Sequence, residues 1–307
     1  MHAPVPVAST APGLLSPRIL LYFFIITLIW GSTWLVIKTQ LGVVPASWSV
    51  AWRFLIGGSA MMTMCLVTGK SLRLDRRGHA FALTVAVMQF ALNFNLVYRA
   101  EQHIASGLVS LSFALLLVPN ALLSWAFLGH KISVRFAAGS LIGIAGVALM
   151  FARDLVTPGV DAAAIMLGLA LAIGGVLSAS VGNVMQATAV GRSLPPEGGL
   201  AWAMAYGGIL NALVALVIAG PPAFDFSVTY IAGLAYLGIV ASAVAFSLYY
   251  AIIRSIGPGK AAYSGVVVPL VAMALSTVFE GYIWTPLAVA GGVLAMIGLL
   301  VALRSRG

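Results

Sequence analysis

A chain of 307 residues that is 62% hydrophobic and 7% charged, with a mean hydropathy of +1.08, is not a soluble globular domain, which carries roughly 25% charge. The net charge of +9 invites a nucleic-acid reading, but the basic residues lie mostly in the termini and the short connections between apolar segments, where their excess sets membrane orientation rather than forming a binding face. The lone Cys65 lies inside an apolar segment and excludes an intramolecular disulfide.

Residues 1–18 are rich in Pro, Ala and Ser, lack the basic start and cleavage site of a signal peptide, and read as a disordered cytoplasmic N-terminus. A crossing helix needs about 20 mostly apolar residues, because it rises ~1.5 Å per residue across a ~30 Å hydrocarbon core. Ten segments meet that need: 19–38, 47–68, 80–98, 106–128, 133–152, 162–190, 199–219, 229–253, 260–280 and 286–304. They are continuously apolar rather than alternating, which predicts helices and not a barrel. The expected class is an all-α membrane protein of ten transmembrane helices.

Polar side chains inside these segments need partners, so they should face other helices or a wet cavity. In the first segment Trp30, Thr33 and Trp34 share a face around the Gly31–Ser32 step. The second carries Arg53, about six residues from its end and so ~9 Å deep. Two readings of Arg53 stand: it snorkels or pairs with an acid such as Glu101 or Asp154, or it binds a substrate carboxylate or closes a gate. The third segment offers Gln89 and Asn93 on one face, then Tyr98 near its end, with Asn95 pointing elsewhere. Further candidates are Ser178, Asn183 and Gln186 in the sixth, Ser242, Tyr249 and Tyr250 in the eighth, and Tyr263 and Ser264 in the ninth. Pro119 and Pro269 kink matched spans and are candidate gating elements. Gly139 with Gly143, and Gly291, Gly292 and Gly298, predict close helix packing. Trp48 and Trp284, near segment ends, are expected interfacial anchors.

The chain also repeats itself. AWRFLIGG at 51–58 returns as AWAMAYGG at 201–208, Pro45 as Pro195, and the Pro119 to His130 spacing as Pro269 to Glu280. This predicts a first five-helix repeat at 19–152, a connection at 153–161 and a second repeat at 162–304. An odd number of crossings per unit inverts the second copy, an arrangement of secondary transporters that holds substrate between the halves. Twelve Lys and Arg fall at the termini and after even-numbered segments, against three (Lys38, Arg99, Arg153) on the other side, with Arg53 the last of the 16. The positive-inside rule then places both termini in the cytoplasm.

No HExxH, Walker-type loop or CxxC is present, and the four histidines lie at termini and connections. This predicts no catalytic residues, no metal and no cofactor. All seven carboxylates lie at segment ends or in connections, which leaves an ion-coupled mechanism without an obvious carrier and a facilitator equally open.

The motifs IWGSTWLVIK at 29–38, P-x6-W-R-F at 45–54 and GNV at 182–184, with a Pro-kinked span and a Gly-rich span ending each half, resemble the EamA-type exporters of the drug/metabolite transporter superfamily. The resemblance covers about residues 20–304. It implies ten helices in a five-plus-five inverted-topology repeat, alternating access through a central cavity, and export of small metabolites from a bacterial inner membrane. Amino acids, aromatic and other neutral ones, are the expected cargo. The alternative is efflux of polyamine-like or quaternary ammonium cations, with a membrane-embedded enzyme or scaffold behind both. The family has Glu after the fourth span where this chain has His130; Glu280 keeps the acid in the second half. The expected partners are the small-molecule cargo and the bilayer, with no nucleic acid, and one chain suffices as a monomer.

Overall fold

The computed structural model describes residues 16–129, 131–155, 161–256, 261 and 264–304. Among these there are helices and turns and no strands. The helix ends are set by local chemistry. Pro17 and Pro196 open α1 (Pro17–Lys38) and α10 (Pro196–Ala219), where a missing N–H costs nothing. Gly69 and Gly129, at φ 67° and 71°, close α2 (Ala46–Thr68) and α6 (Leu117–Leu128) in the left-handed conformation. Asp75 caps α3 (Arg76–Val85) by accepting from Gly78 N at 2.7 Å, and Asp161 caps α8 (Ala162–Gln186) by accepting from Ala163 N and Ala164 N.

The remaining elements are α4 (Asn93–Ala100), α5 (Ser106–Ala114), α7 (Val134–Leu155), α9 (Ala189–Ser193), α11 (Val228–Ala235), α12 (Ala245–Ile256), α13 (Ser264–Phe279) and α14 (Pro286–Arg304). Two π-helical segments, π1 (Ala86–Leu92) and π2 (Tyr236–Val244), join α3 to α4 and α11 to α12 without a break. Among the described residues, eight helical stretches are long and apolar enough to cross a membrane, and two shorter apolar helices, Val267–Phe279 and Pro286–Ala302, follow them. The predicted sixth segment ends earlier than expected, at Gln186, because Ala187 and Thr188 turn the chain into α9. Where matched proline kinks are expected, the two halves differ. Pro269 sits inside α13, but the span containing Pro119 breaks outright at Leu115–Leu116, with Pro119 in the first turn of α6.

Small residues decide which helices touch. The Gly57–Gly58 step of α2 and the Gly207–Gly208 step of α10 pack on each other: a Cβ at Gly58 would lie 2.8 Å from Ala205 N, and one at Gly208 2.6 Å from Leu55 N. Their neighbours face the π segments in matched fashion, Gly57 against the Gly238 carbonyl of π2 and Gly207 against Phe90 of π1. Trp52 and Trp202 repeat the symmetry, the first donating to the Ala223 carbonyl at 2.9 Å and the second to that of Leu72 at 2.8 Å. A second seam joins α7 to α14 through Gly139, Gly146, Gly291 and Gly298. Trp48 is no interfacial anchor: it is buried, stacks on Trp52 at 5.4 Å and donates to the Gly220 carbonyl. Trp284 is 41% exposed.

Candidate functional site

A cavity of about 160 Å³ opens between the halves. Its walls come from α1, α2, π1, α4, α5, α6, α8, α12 and α13. Of the residues singled out from the sequence, Trp30, Thr33, Trp34, Arg53, Gln89, Asn93, Asn183, Tyr249, Ser264 and Pro269 line it. Tyr98, Ser178, Ser242 and Pro119 do not. His130 and Tyr263 lie outside the described residues.

The π segments explain how the site is held. Inserting a π turn breaks the regular i to i−4 ladder and frees carbonyls for other donors. At π1, the Met88 carbonyl accepts from Ser178 Oγ at 2.6 Å, the Phe90 carbonyl from Asn211 Nδ2 at 2.9 Å, and the Gln89 carbonyl from Asn93 Nδ2 at 3.3 Å. At π2, the Ala241 carbonyl accepts from the Trp30 indole at 3.2 Å, and the Leu237 carbonyl from Ser242 Oγ at 2.8 Å. Ser178 therefore joins helices rather than facing the cavity. Asn95, as expected, points away and donates to Asn211 Oδ1 at 2.6 Å.

Arg53 does not snorkel. It is 1% exposed, and its Nε donates to Ser242 Oγ at 3.1 Å. The guanidinium carbon lies 4.4 Å from the Phe94 ring centre and 5.4 Å from that of Phe54, a cation–π setting strengthened by removal from water. Among the described residues it makes no ion pair, so the expected pairing with Glu101 is absent; the Asp154 side chain lies outside the described set. Ser242 thus acts behind the cavity wall, orienting the arginine. The Tyr98 hydroxyl is fully buried and borders the guanidinium.

Aromatic rings form much of the remaining wall. Trp30 meets Phe246 and Tyr249 edge-on at 5.4 and 4.9 Å, and Trp34 tilts against Phe113 at 5.1 Å. Several wall residues also carry buried polar atoms with no hydrogen-bond partner among the described residues: Arg53 Nη1, Trp34 Nε1 and Ser110 Oγ as donors, and Gln89 Oε1, Asn93 Oδ1 and Asn120 Oδ1 as acceptors. Each would cost about 1–3 kcal/mol if nothing met it. Such a cluster on one cavity wall is the pattern of a site that recognises a polar ligand. Thr33 offers less, because its hydroxyl donates to the Ile29 carbonyl of its own helix at 2.7 Å.

Ser110, Phe113, Asn120, Phe246 and Val268 are wall residues absent from the sequence reading. Asn120 was detectable as an amide inside an apolar segment, next to Pro119. Phe113 and Phe246 were not, since hydropathy does not tell a cavity-facing ring from a lipid-facing one.

Apolar helices enclosing a cavity studded with polar atoms narrow the choice of family, and sequence comparison decides it. A model of the EamA-like transporter family matches residues 17–152 and, a second time, residues 166–304. The chain belongs to the EamA-like transporter family. Among its relatives, Protein PagO of Salmonella typhimurium is 23% identical over 261 residues, covering 85% of this chain and 84% of the relative. The uncharacterized transporter YvbV of Bacillus subtilis is 24% identical over 262 residues, covering 85% and 83%. A solved crystal structure at 20% identity superposes with a TM-score of 0.68 over 92% of this chain and 95% of its own, which shows the fold alone. This EamA-family chain is an integral membrane transporter and not an enzyme.

Proposed function

We propose that this transporter exports neutral amino acids, aromatic ones among them, by alternating access through the cavity described above. The observation that carries this reading is the unpaired polar set on the cavity wall. A free amino acid presents a carboxylate to the Arg53 guanidinium and an ammonium to the amide oxygens of Gln89 and Asn93. Its side chain then lies among Trp30, Phe113, Phe246 and Tyr249. Size agrees: at about 10–15 Å³ of such volume per water, the cavity holds on the order of ten heavy atoms. Nucleotide-sized cargo is too large. The buried arginine disfavours the alternative, polyamine-like and quaternary ammonium cations, since among the described residues no carboxylate lines the cavity to offset it.

In this reading the ten apolar helices form two inverted five-helix repeats, 19–152 and 162–304, in a bacterial inner membrane. Both termini are cytoplasmic, one chain suffices, and Pro119 and Pro269 mark where helices bend during gating. A reporter fused after Gly307 should score cytoplasmic, and a tag inserted between Pro221 and Thr229 should be reachable from outside intact cells. An externally accessible C-terminus would refute this topology.

Cargo is tested by counterflow of labelled Trp, Phe, Thr and spermidine in proteoliposomes, with and without a proton gradient. The amino acids should exchange and spermidine should not. Gln89→Leu and Asn93→Leu should each weaken amino-acid uptake a few-fold, matching ~1 kcal/mol per lost hydrogen bond. Trp30→Ala should reduce transport of Trp and Phe more than that of Thr. Normal transport of every cargo by all three folded variants would reject the proposed binding site.

A further inference from the structure

The acidic residues are almost all accounted for. Asp75 and Asp161 cap helices, and Asp225 accepts from Ser227 N and Oγ. Glu197 pairs with Lys70 at 3.9 Å. Glu280 accepts from Ser106 N at 3.2 Å and Ser106 Oγ at 2.6 Å, placing its charge at the start of α5, where the helix dipole favours it. Among the acids whose side chains are described, Glu101 is the exception. It follows the last residue of α4, is 0% exposed, and neither carboxyl oxygen has a hydrogen-bond partner among the described residues.

The charged neighbours do not pair with it. Lys38, at the end of α1, donates instead to the backbone carbonyls of Glu101 and Ile104, the latter at 3.3 Å. That ammonium closes the C-terminal end of α4 and leaves the carboxyl to itself. The other groups facing Glu101 are Arg53 from α2, Tyr98 from its own helix and Glu280 from the end of α13; Arg99 and His103 flank it in the chain. Of these, Glu280 carries the same charge and opposes ionisation. A carboxylate shut from water without a partner costs several kcal/mol, and the ordinary escape is to take up a proton. Burial first, and Glu280 second, hold the Glu101 carboxyl well above the usual carboxylate range, against the opposite pull of Lys38 and Arg53.

We propose that Glu101 is a proton-binding site that latches this end of the pathway: it carries a proton while α1, α4, α5 and α13 are packed around it, and gives that proton to water when they part. The proton moves between the carboxyl and solvent, with no other bond made or broken. The sign follows from linkage. A group that binds its proton more tightly in the closed form stabilises that form as pH falls, and rising pH favours opening. The window runs upward from the ordinary carboxylate range. If the orientation proposed above holds, this end faces outside, and each opening releases one proton there. The same end takes a proton back from the same solvent as it closes, so no proton crosses the membrane and the pH on that side sets how readily this end opens.

Two measurements on the full chain in nanodiscs, in sodium-free buffer, test this without a cargo. The first is an infrared titration. Wild type should show the C=O stretch of a protonated carboxyl at neutral pH, and Glu101→Gln should lose that band. Should Glu101→Gln fail to fold, Glu101→Asp should shift the band, and Glu280→Gln should retain it. The second places spin labels at Val43 and Gln102, on the exposed connections after α1 and α4, in a Cys65→Ser background. The distance between them should lengthen as pH rises in the wild-type background and stay short at all pH values with Glu101→Gln. A wild-type spectrum without the band, a band unchanged in Glu101→Gln, or labels whose pH response is the same in both backgrounds would overturn the proposal.

Discussion

Arg53→Lys should weaken amino-acid binding by about tenfold or more, since hydrogen bonds to a charged group are worth about 1.5–3 kcal/mol and 1.4 kcal/mol is a factor of ten. Lysine keeps the positive charge. It loses the Nε bond to Ser242, the planar face over Phe94 and the two-pronged grip on a carboxylate. The readout is half-saturation of counterflow in proteoliposomes, alongside thermal stability of the purified variant. Ser242→Ala should give a smaller loss of the same kind, because it frees the guanidinium without removing it. Wild-type affinity in a folded Arg53→Lys protein would retire the cargo-binding role of this arginine and leave it as a structural charge held by aromatic rings.

The second large effect concerns stability and separates two glycines three residues apart on α7. A Cβ at Gly146 would lie 2.2 Å from Ala295 N and 2.6 Å from the Gly291 carbonyl oxygen. Both are backbone atoms of α14 and cannot rotate away, so Gly146→Ala forces the helices apart and should cost about 1–3 kcal/mol. A Cβ at Gly143 would meet Leu115 Cδ2 at 3.7 Å, the Ala295 carbonyl oxygen at 3.8 Å and Leu299 N at 3.9 Å, all ordinary contacts. Gly143→Ala should therefore be neutral, or stabilising by up to about 0.5–1 kcal/mol from the lost backbone freedom of glycine. Thermal melts in detergent would show a lowered midpoint for Gly146→Ala alone. Equal midpoints for the two variants would mean that the α7–α14 seam does not need its close approach.

Much of this architecture was legible because the bilayer imposes it. Apolar runs of about 20 residues and paired Gly–Gly steps have few alternatives in hydrocarbon. The same reasoning located Gln89, Asn93 and Trp30, since a polar group inside such a run needs somewhere to go. It failed where the cause was tertiary. Glu101 sits at a segment end, where a carboxylate is ordinarily wetted; only the fold of α1, α5 and α13 over it removes the water. Tyr98 and Ser242 looked like cargo contacts, but their depth along the helices was compatible with either face of the wall. Trp48 looked like a membrane anchor because its position near a span end could not reveal that Trp52 and the Gly220 carbonyl bury it. The π segments had no signature at all, because their residues are as apolar as those of the α-helix on either side.

Those two π segments begin at residues 86 and 236, the same separation that divides the Gly–Gly steps. A π turn is commonly made by one residue added to an α-helix. Two independent additions at equivalent points are less economical than one addition followed by copying, so the added residue is older than the duplication itself. The single-copy ancestor already carried the π segment in its third helix, and with it the carbonyls that now hold side chains, that of Ala241 in the second half accepting from Trp30 and that of Gln89 in the first from Asn93. Such an addition is hard to undo. Deleting one residue from either segment would restore a regular helix but turn everything beyond it by about 100°, at 3.6 residues per turn. In the first half that would swing Asn93 off the cavity wall; in the second, Phe246 and Tyr249. Once both copies contributed to one cavity, neither could revert alone, and the irregularity became an inheritance both halves must keep.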